Sequence, residues 1–168
     1  MISIRAEQTQ DAAAVRRVNE LAFETAAEAD LVDLLRARGK LVVSLVACTE
    51  DQIVGHIAFS QATIASSPHL RGLGLGPMAV APDMQRSGIG SMLVRAGLEQ
   101  CRAKGIDYVI VLGHPQFYPR FGFGPASRFG IRSAWPAPDD AFMALELGSG
   151  ALAGASGLAA YEPEFTGV

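Results

Sequence analysis

Residues 73–112 constrain the fold more than any other part of the sequence. A strand-like run ends at Val80, a turn with two glycines follows, and helical periodicity then extends over residues 88–104. A second apolar run, rich in Val, Ile and Leu, occupies residues 108–112. A strand, a helix and a strand in this order predict a βαβ unit with two parallel strands and a right-handed crossover.

The rest of the chain is read from the same periodicities. Thr9 is expected to be the N-cap of a first helix, with Asp11 in its first turn. A second helix is expected over residues 27–38, with Gly39 as its left-handed stop. Strands are expected over residues 2–5, 41–49, 53–64, 142–147 and 158–161, and the second and third of these should form an antiparallel hairpin. We therefore predict an α/β (α+β) domain built on a mixed sheet.

Composition limits the class of protein. The 168 residues fit one domain, here 1–168, and 49% are hydrophobic while 18% are charged, which suits a packed core. A net charge of −3 without a basic stripe gives no support to a nucleic-acid binder. No apolar stretch reaches the ~20 residues that cross a bilayer. The start of the chain is unlike a signal peptide, so we expect a cytoplasmic protein without a membrane partner.

The two cysteines do not indicate a metal site. Cys48 and Cys101 fit no zinc spacing, and no His pair completes one. Both are expected to be buried, reduced thiols, and no metal is expected.

The glycine turn is the part of the sequence that indicates chemistry. Gly88 and Gly90 open the long helix immediately after a strand and a short turn. A helix N-terminus presents unpaired N–H groups and the positive end of the dipole, and glycine lets an anion approach the backbone. The turn therefore predicts a pyrophosphate site that needs no metal. It is not a P-loop, because the sequence has no Gly-x-x-x-x-Gly-Lys-Ser/Thr run. It is not a Rossmann fingerprint, because no third glycine follows Gly88 and Gly90 at the right spacing, and the glycines at 72, 74 and 76 lie before the strand end.

Residues 85–90, Gln-Arg-Ser-Gly-Ile-Gly, resemble the Arg/Gln-x-x-Gly-x-Gly/Ala signature of the GNAT superfamily of acetyl-CoA-dependent N-acetyltransferases. Residues 117–123, Phe-Tyr-Pro-Arg-Phe-Gly-Phe, are similar to its Tyr-x-x-x-Gly-Phe segment. Residues 55–60 and 112–115 are also similar to small bacterial members. The resemblance covers nearly the whole chain. It implies a GNAT-like fold: a mostly antiparallel central sheet, a parallel βαβ cofactor unit and helices on both faces.

The resemblance also implies site residues, with acetyl-CoA as the acyl donor. In the family, the backbone of the strand that matches Met78, Ala79 and Val80 binds the pantetheine arm and the acetyl carbonyl. The matching turn binds the pyrophosphate and comprises Arg86, Ser87, Gly88, Ile89, Gly90 and Ser91. In the family, the tyrosine that matches Tyr118 lies near the thioester sulfur and often protonates the leaving thiolate. Because Pro119 follows it, the family's helix at this point is expected to be shortened or displaced.

The sequence does not identify the acceptor or the general base. The resemblance implies transfer to a primary amine, which could belong to a small molecule, an amino acid, an antibiotic, or a peptide N-terminus or lysine. The alternatives are a non-catalytic acyl-CoA-binding sensor and an acyltransferase that uses another acyl-CoA. His56 is expected to be a bonded core residue, and His114 an ordinary loop residue. Candidate bases are Glu24, Glu28, Asp30, His56 and His69, or a water chain. A homodimer is also left open.

Overall fold

The computed structural model describes all residues from Met1 to Val168 and contains nine strands and three α-helices. The strands are β1 (Ser3–Ala6), β2 (Leu41–Cys48), β3 (Ile53–Ile64), β4 (Gly72–Val80), β5 (Tyr108–Leu112), β6 (Gly124–Pro125), β7 (Ile131–Ser133), β8 (Phe142–Glu146) and β9 (Gly157–Ala160). The helices are α1 (Ala12–Ala22), α2 (Ala27–Ala37) and α3 (Ile89–Ala103). Every predicted strand is present, and the predicted hairpin is the antiparallel pair β2–β3.

One predicted boundary is wrong. Thr9 is not the N-cap of α1, because residues Thr9–Asp11 form a separate 3₁₀ turn and the α-helix begins at Ala12. The carboxylate of Asp11 accepts the backbone N–H of Gln8 at 2.7 Å and pairs with Arg5 at 2.6 Å. These bonds close a turn ahead of the helix, and Asp11 takes the N-cap position of α1 without a side-chain capping bond. Gly39 does end the second helix, with a left-handed φ of 69°.

The chain forms two compact units. The first consists of Met1–Ser60, Gly76–Gln100 and Pro163–Val168, and the second of Gln61–Leu75 and Cys101–Glu162. Strands β3 and β4 each contribute residues to both units.

Helices cover both faces of the sheet in the first unit, where β1, β2 and β3 are antiparallel neighbours. Val46 of β2 packs with Val15 of α1 and Val32 of α2 in one core cluster. The next residue, Ala47, pairs with Gly55. A Cβ placed on Gly55 would lie 3.2 Å from Ile89 and 3.1 Å from Leu93, both in α3. Because successive strand residues point to opposite faces, α1 and α2 cover one face and α3 covers the other.

The second unit contains the mixed part of the sheet. The first residues of β4 run parallel to β5, from the pair Gly72–Tyr108 to the pair Leu75–Val111, which confirms the predicted βαβ unit. Strand β8 is antiparallel to both β5 and β6. Strand β9, in the C-terminal segment, pairs with the end of β3 and with β7. The core of the second unit includes Tyr108, Ile110, Ile131, Phe142 and Leu152.

Candidate active site

Hydrogen bonds anchor the turn after β4 at both ends. The N–H of Ala81 donates to the carbonyl of Val54 at 2.8 Å, and a 3₁₀ turn follows over Pro82–Met84. The side-chain amide of Gln85 donates back to the carbonyl of Val80 at 3.0 Å. The turn therefore has a fixed relation to the end of the strand, which is what a rigid binding loop requires.

Two residues of the turn are left-handed. Arg86 has a φ of 62° and Gly88 a φ of 88°. Left-handed backbone costs a non-glycine residue roughly 1–2 kcal/mol, and residues held in that way often belong to functional sites. A Cβ placed on Gly88 would meet nothing within 4 Å, so the backbone there is open to an approaching ligand. The hydroxyl of Ser87, between them, donates to the carbonyl of Met84.

Helix α3 starts at this open backbone. The N–H of Met92 donates to the carbonyl of Gly88 at 3.1 Å, which is the first helical hydrogen bond. The amides of Ile89, Gly90 and Ser91 thus precede the ladder and have no intrahelical acceptor. Gly90 and Ser91 are half-buried, whereas the Ile89 side chain is 2% exposed and packs inside. The turn and the helix start therefore offer convergent N–H groups and a positive dipole end, which suit an anion.

Strand β4 continues beyond the last residue that it pairs with β5. The paired register ends at Leu75, but β4 extends to Val80. Met78 and Val80 are half-buried and Ala79 is 2% exposed. Residues 76–80 consequently keep backbone groups that β5 does not use, as the predicted pantetheine site requires.

Tyr118 lies in the second unit, within an aromatic cluster. Its ring meets those of Phe117 and Phe123 edge-on, with centroids 5.0 and 5.7 Å away. It also lies against Gly113, where a Cβ would come within 2.5 Å of the ring. Burial raises the pKa of Tyr118 to about 12, so the phenol is protonated at neutral pH and can act as a proton donor. The helix at this point is shortened to one 3₁₀ turn, Tyr118–Phe121, as Pro119 predicted.

His56 is a core residue, as expected. It is fully buried, with Nε2 2.9 Å from the Ser44 hydroxyl and 3.5 Å from a Glu7 oxygen, and Nδ1 3.5 Å from the Asn19 amide. Arg36 binds the same Glu7 carboxylate at 2.8 and 2.9 Å. Burial lowers the pKa of His56 to about 4. The imidazole is therefore neutral and committed to structure.

The other candidate bases differ in their surroundings. Asp30 pairs with Arg16 at 2.9 Å, whereas Glu24 and the two remaining histidines, His69 and His114, are exposed. One oxygen of Glu28, Oε1, is buried and has no hydrogen-bond partner. Of the cysteines, Cys101 is buried and Cys48 only half-buried.

Sequence reasoning missed Tyr161. Its hydroxyl donates to the Leu75 carbonyl at 2.8 Å and accepts the Leu112 N–H at 3.2 Å. Its ring crosses β4 at Gly74, and the ring of Tyr108 crosses the same strand at Gly72. Glycine within a strand often marks such a close approach, so the glycines at 72 and 74 were a signal for a crossing side chain.

No three His, Cys, Asp or Glu side chains are grouped so that they could hold a metal ion. None of the helices has the length and apolar character that a membrane span requires.

Comparison with known proteins identifies the family. The acetyltransferase (GNAT) domain family matches residues 41–125. The uncharacterised N-acetyltransferase YhbS of Escherichia coli is 36% identical over 163 residues, which cover 96% of this chain and 97% of YhbS. The uncharacterised E. coli N-acetyltransferase YjhQ is 40% identical over 138 residues, which cover 77% of this chain and 74% of YjhQ.

Similar solved structures support the same family. The crystal structure of YhbS in complex with CoA has a TM-score of 0.93 at 35% identity, covering 98% of this chain and 91% of that chain. A GNAT family acetyltransferase from Brucella melitensis in complex with acetyl-CoA has a TM-score of 0.81 at 35% identity, covering 98% of each chain. The chain therefore has the GNAT fold and belongs to the GNAT family of N-acetyltransferases.

Proposed function

We propose that residues 1–168 act as one N-acetyltransferase domain that transfers acetyl from acetyl-CoA to a primary amine. The observation that carries the proposal is the open, left-handed turn at Arg86 and Gly88, which leads into the unpaired amides of α3. Crystal structures of YhbS with CoA and of the Brucella enzyme with acetyl-CoA support the same cofactor here.

Acetyl-CoA fits the residues present. The backbone from Arg86 to Ser91 supplies N–H donors for the pyrophosphate, and Gly88 leaves room for it. Ile89 contributes only its backbone, because its side chain is buried. The backbone of Met78, Ala79 and Val80 would hold the pantetheine amides and the acetyl carbonyl.

The chain's own residues would contribute two effects to the reaction. The bound cofactor supplies a thioester that a neutral amine can attack directly. A backbone N–H among residues 78–80 would stabilise the developing oxyanion. Tyr118 would give its phenolic proton to the leaving thiolate, and the proton that the attacking nitrogen loses would restore the phenol, directly or through water. No covalent enzyme intermediate is needed, so neither cysteine acts as a nucleophile.

Glu28 supports a primary-amine acceptor. A buried carboxylate oxygen without a donor is unfavourable in the free protein, and an N–H of the acceptor amine would supply the missing hydrogen bond. We therefore assign Glu28, in the first turn of α2, to acceptor binding. The acceptor would be the amine of a small molecule or of a peptide.

The test is thiol release from acetyl-CoA with a panel of polyamines, amino acids, aminoglycosides and lysine or N-terminal peptides. Propionyl-CoA and succinyl-CoA would serve as alternative donors. Transfer to an amine, with a raised KM in Glu28→Gln and an unchanged KM in the exposed control Glu24→Gln, is the expected result. CoA binding without transfer to any amine would instead favour a sensor, and preference for another donor would revise the acyl group.

A further inference from the structure

The hydroxyl of Tyr161 bonds both backbone groups of the last rung of the β4–β5 ladder. The last pair of that ladder is Leu75–Val111. The N–H of Gly113, just after β5, donates to Ala141 at 2.9 Å, beside β8, so the preceding N–H of Leu112 points to β4. In a parallel ladder, the pair Leu75–Val111 joins this N–H to the carbonyl of Leu75. The Tyr161 hydroxyl accepts the same N–H at 3.2 Å and donates to the same carbonyl at 2.8 Å.

The hydroxyl closes the ladder at this rung. It gives the Leu75 carbonyl and the Leu112 amide a further partner, through bonds of 2.8 and 3.2 Å. Because β5 ends at Leu112 whereas β4 continues to Val80, this rung is the point at which the pairing of the two strands stops.

The surroundings of Tyr161 hold its hydroxyl in place. Strand β9, which ends at Ala160, is fixed by pairing with β3 and β7. The ring then rests on Gly74, and its centroid lies 6.0 Å from that of Trp135. Burial raises the pKa of Tyr161, so the phenol keeps the proton that it donates to Leu75.

We propose that Tyr161 is a positioning residue for acetyl transfer, whose hydroxyl fixes the last rung of the β4–β5 ladder. The β4 backbone beyond Leu75 then stays available to the pantetheine arm. This inference rests on the proposed function, because it concerns the same cofactor. Tyr161 acts through β4 and need not contact the acetyl group.

The test compares Tyr161→Phe with the matched control Tyr108→Phe. Tyr108 also crosses β4 at a glycine, but its hydroxyl reaches only the Ala62 carbonyl, at 3.4 Å. CoA affinity is measured by calorimetry, and the unfolding midpoint without ligand reports folding. We expect Tyr161→Phe to weaken CoA binding roughly tenfold, with a raised KM for acetyl-CoA, and Tyr108→Phe to bind like the wild type.

Several results would overturn the inference. Wild-type affinity in Tyr161→Phe, or an equal loss in both variants, would make Tyr161 a structural residue only. If Tyr161→Phe does not fold, Gly74→Ala displaces the same ring, and unchanged CoA affinity in that variant would reject the inference. Absence of CoA binding by the wild type would reject the proposed function itself.

Discussion

The ring of Tyr161 lies so close to Gly74 that a Cβ at residue 74 would come within 2.6 Å of ring carbon Cε2. Gly74→Ala should therefore lower the free energy of unfolding by about 1–3 kcal/mol, because the packed ring must move. Urea unfolding measures the change. Gly148→Ala is the control, since its Cβ would meet only Ala151 at 3.8 Å, and an equal loss in both variants would contradict the close contact.

Gly88 offers a test of the proposed pyrophosphate site at the turn. In Gly88→Ala, the methyl group is forced onto a φ of 88° and blocks the open backbone. Loss of one hydrogen bond to a charged group costs about 1.5–3 kcal/mol, so CoA affinity should fall at least ~tenfold.

The matched control for Gly88→Ala is Gly105→Ala, with a φ of 74° just beyond the C-terminal end of the same helix. It carries similar backbone strain without a ligand. We expect comparable destabilisation in the two variants and weakened CoA binding only in Gly88→Ala. Equal affinities, measured by calorimetry, would reject the turn as the anion site.

Tyr118→Phe separates catalysis from binding. A general acid contributes about 10²–10⁴-fold to the rate, so kcat should fall by roughly a hundredfold or more while CoA affinity stays within about twofold. Steady-state kinetics and calorimetry on the same samples provide both values. An unchanged kcat would show that the thiolate leaves without this proton and that Tyr118 serves only the aromatic cluster.

His56 makes stability depend on pH. Its pKa falls from 6.5 in the unfolded chain to about 4 in the folded protein, mainly because it is buried. The unfolded state therefore binds the extra proton first, and stability is full above pH 6.5 and declines as the pH falls toward 4. Glu7 and Arg36 are the charged groups that face the imidazole.

The size of this effect is measurable by urea unfolding. Between pH 7 and 5 the free energy of unfolding should drop by about 2 kcal/mol. His114→Gln, at an exposed histidine, should keep this dependence, and His56→Gln should flatten it. A wild-type stability that does not change between pH 7 and 5 would mean that His56 takes up a proton in the folded state.

Local periodicity was sufficient to predict most of the fold. The apolar runs of β3 and β5 and the helical stripe of α3 are strong local patterns, and a helix between two strands fixes their parallel pairing. The short strands β6 and β7 were missed, because two or three residues carry no periodicity and depend on long-range partners.

The residues of the candidate site also differ in whether a local sequence pattern reports them. The turn at Gly88 was predicted, because its chemistry lies in consecutive residues. Tyr161 was not predicted, because its partners, Leu75 and Leu112, are distant in the sequence and the bonds are to backbone groups. The unpartnered oxygen of Glu28 likewise depends on packing that no local pattern reports.

The unfolding midpoint with acetyl-CoA tests the central claim most directly. Acetyl-CoA at one hundred times its dissociation constant should add about 2.7 kcal/mol to the free energy of unfolding. For a domain of this size the midpoint should rise by roughly 5–10 °C, while ATP at the same concentration should leave it unchanged. No shift with acetyl-CoA, or an equal shift with ATP, would contradict the assignment of the turn at Arg86–Ser91 to this cofactor.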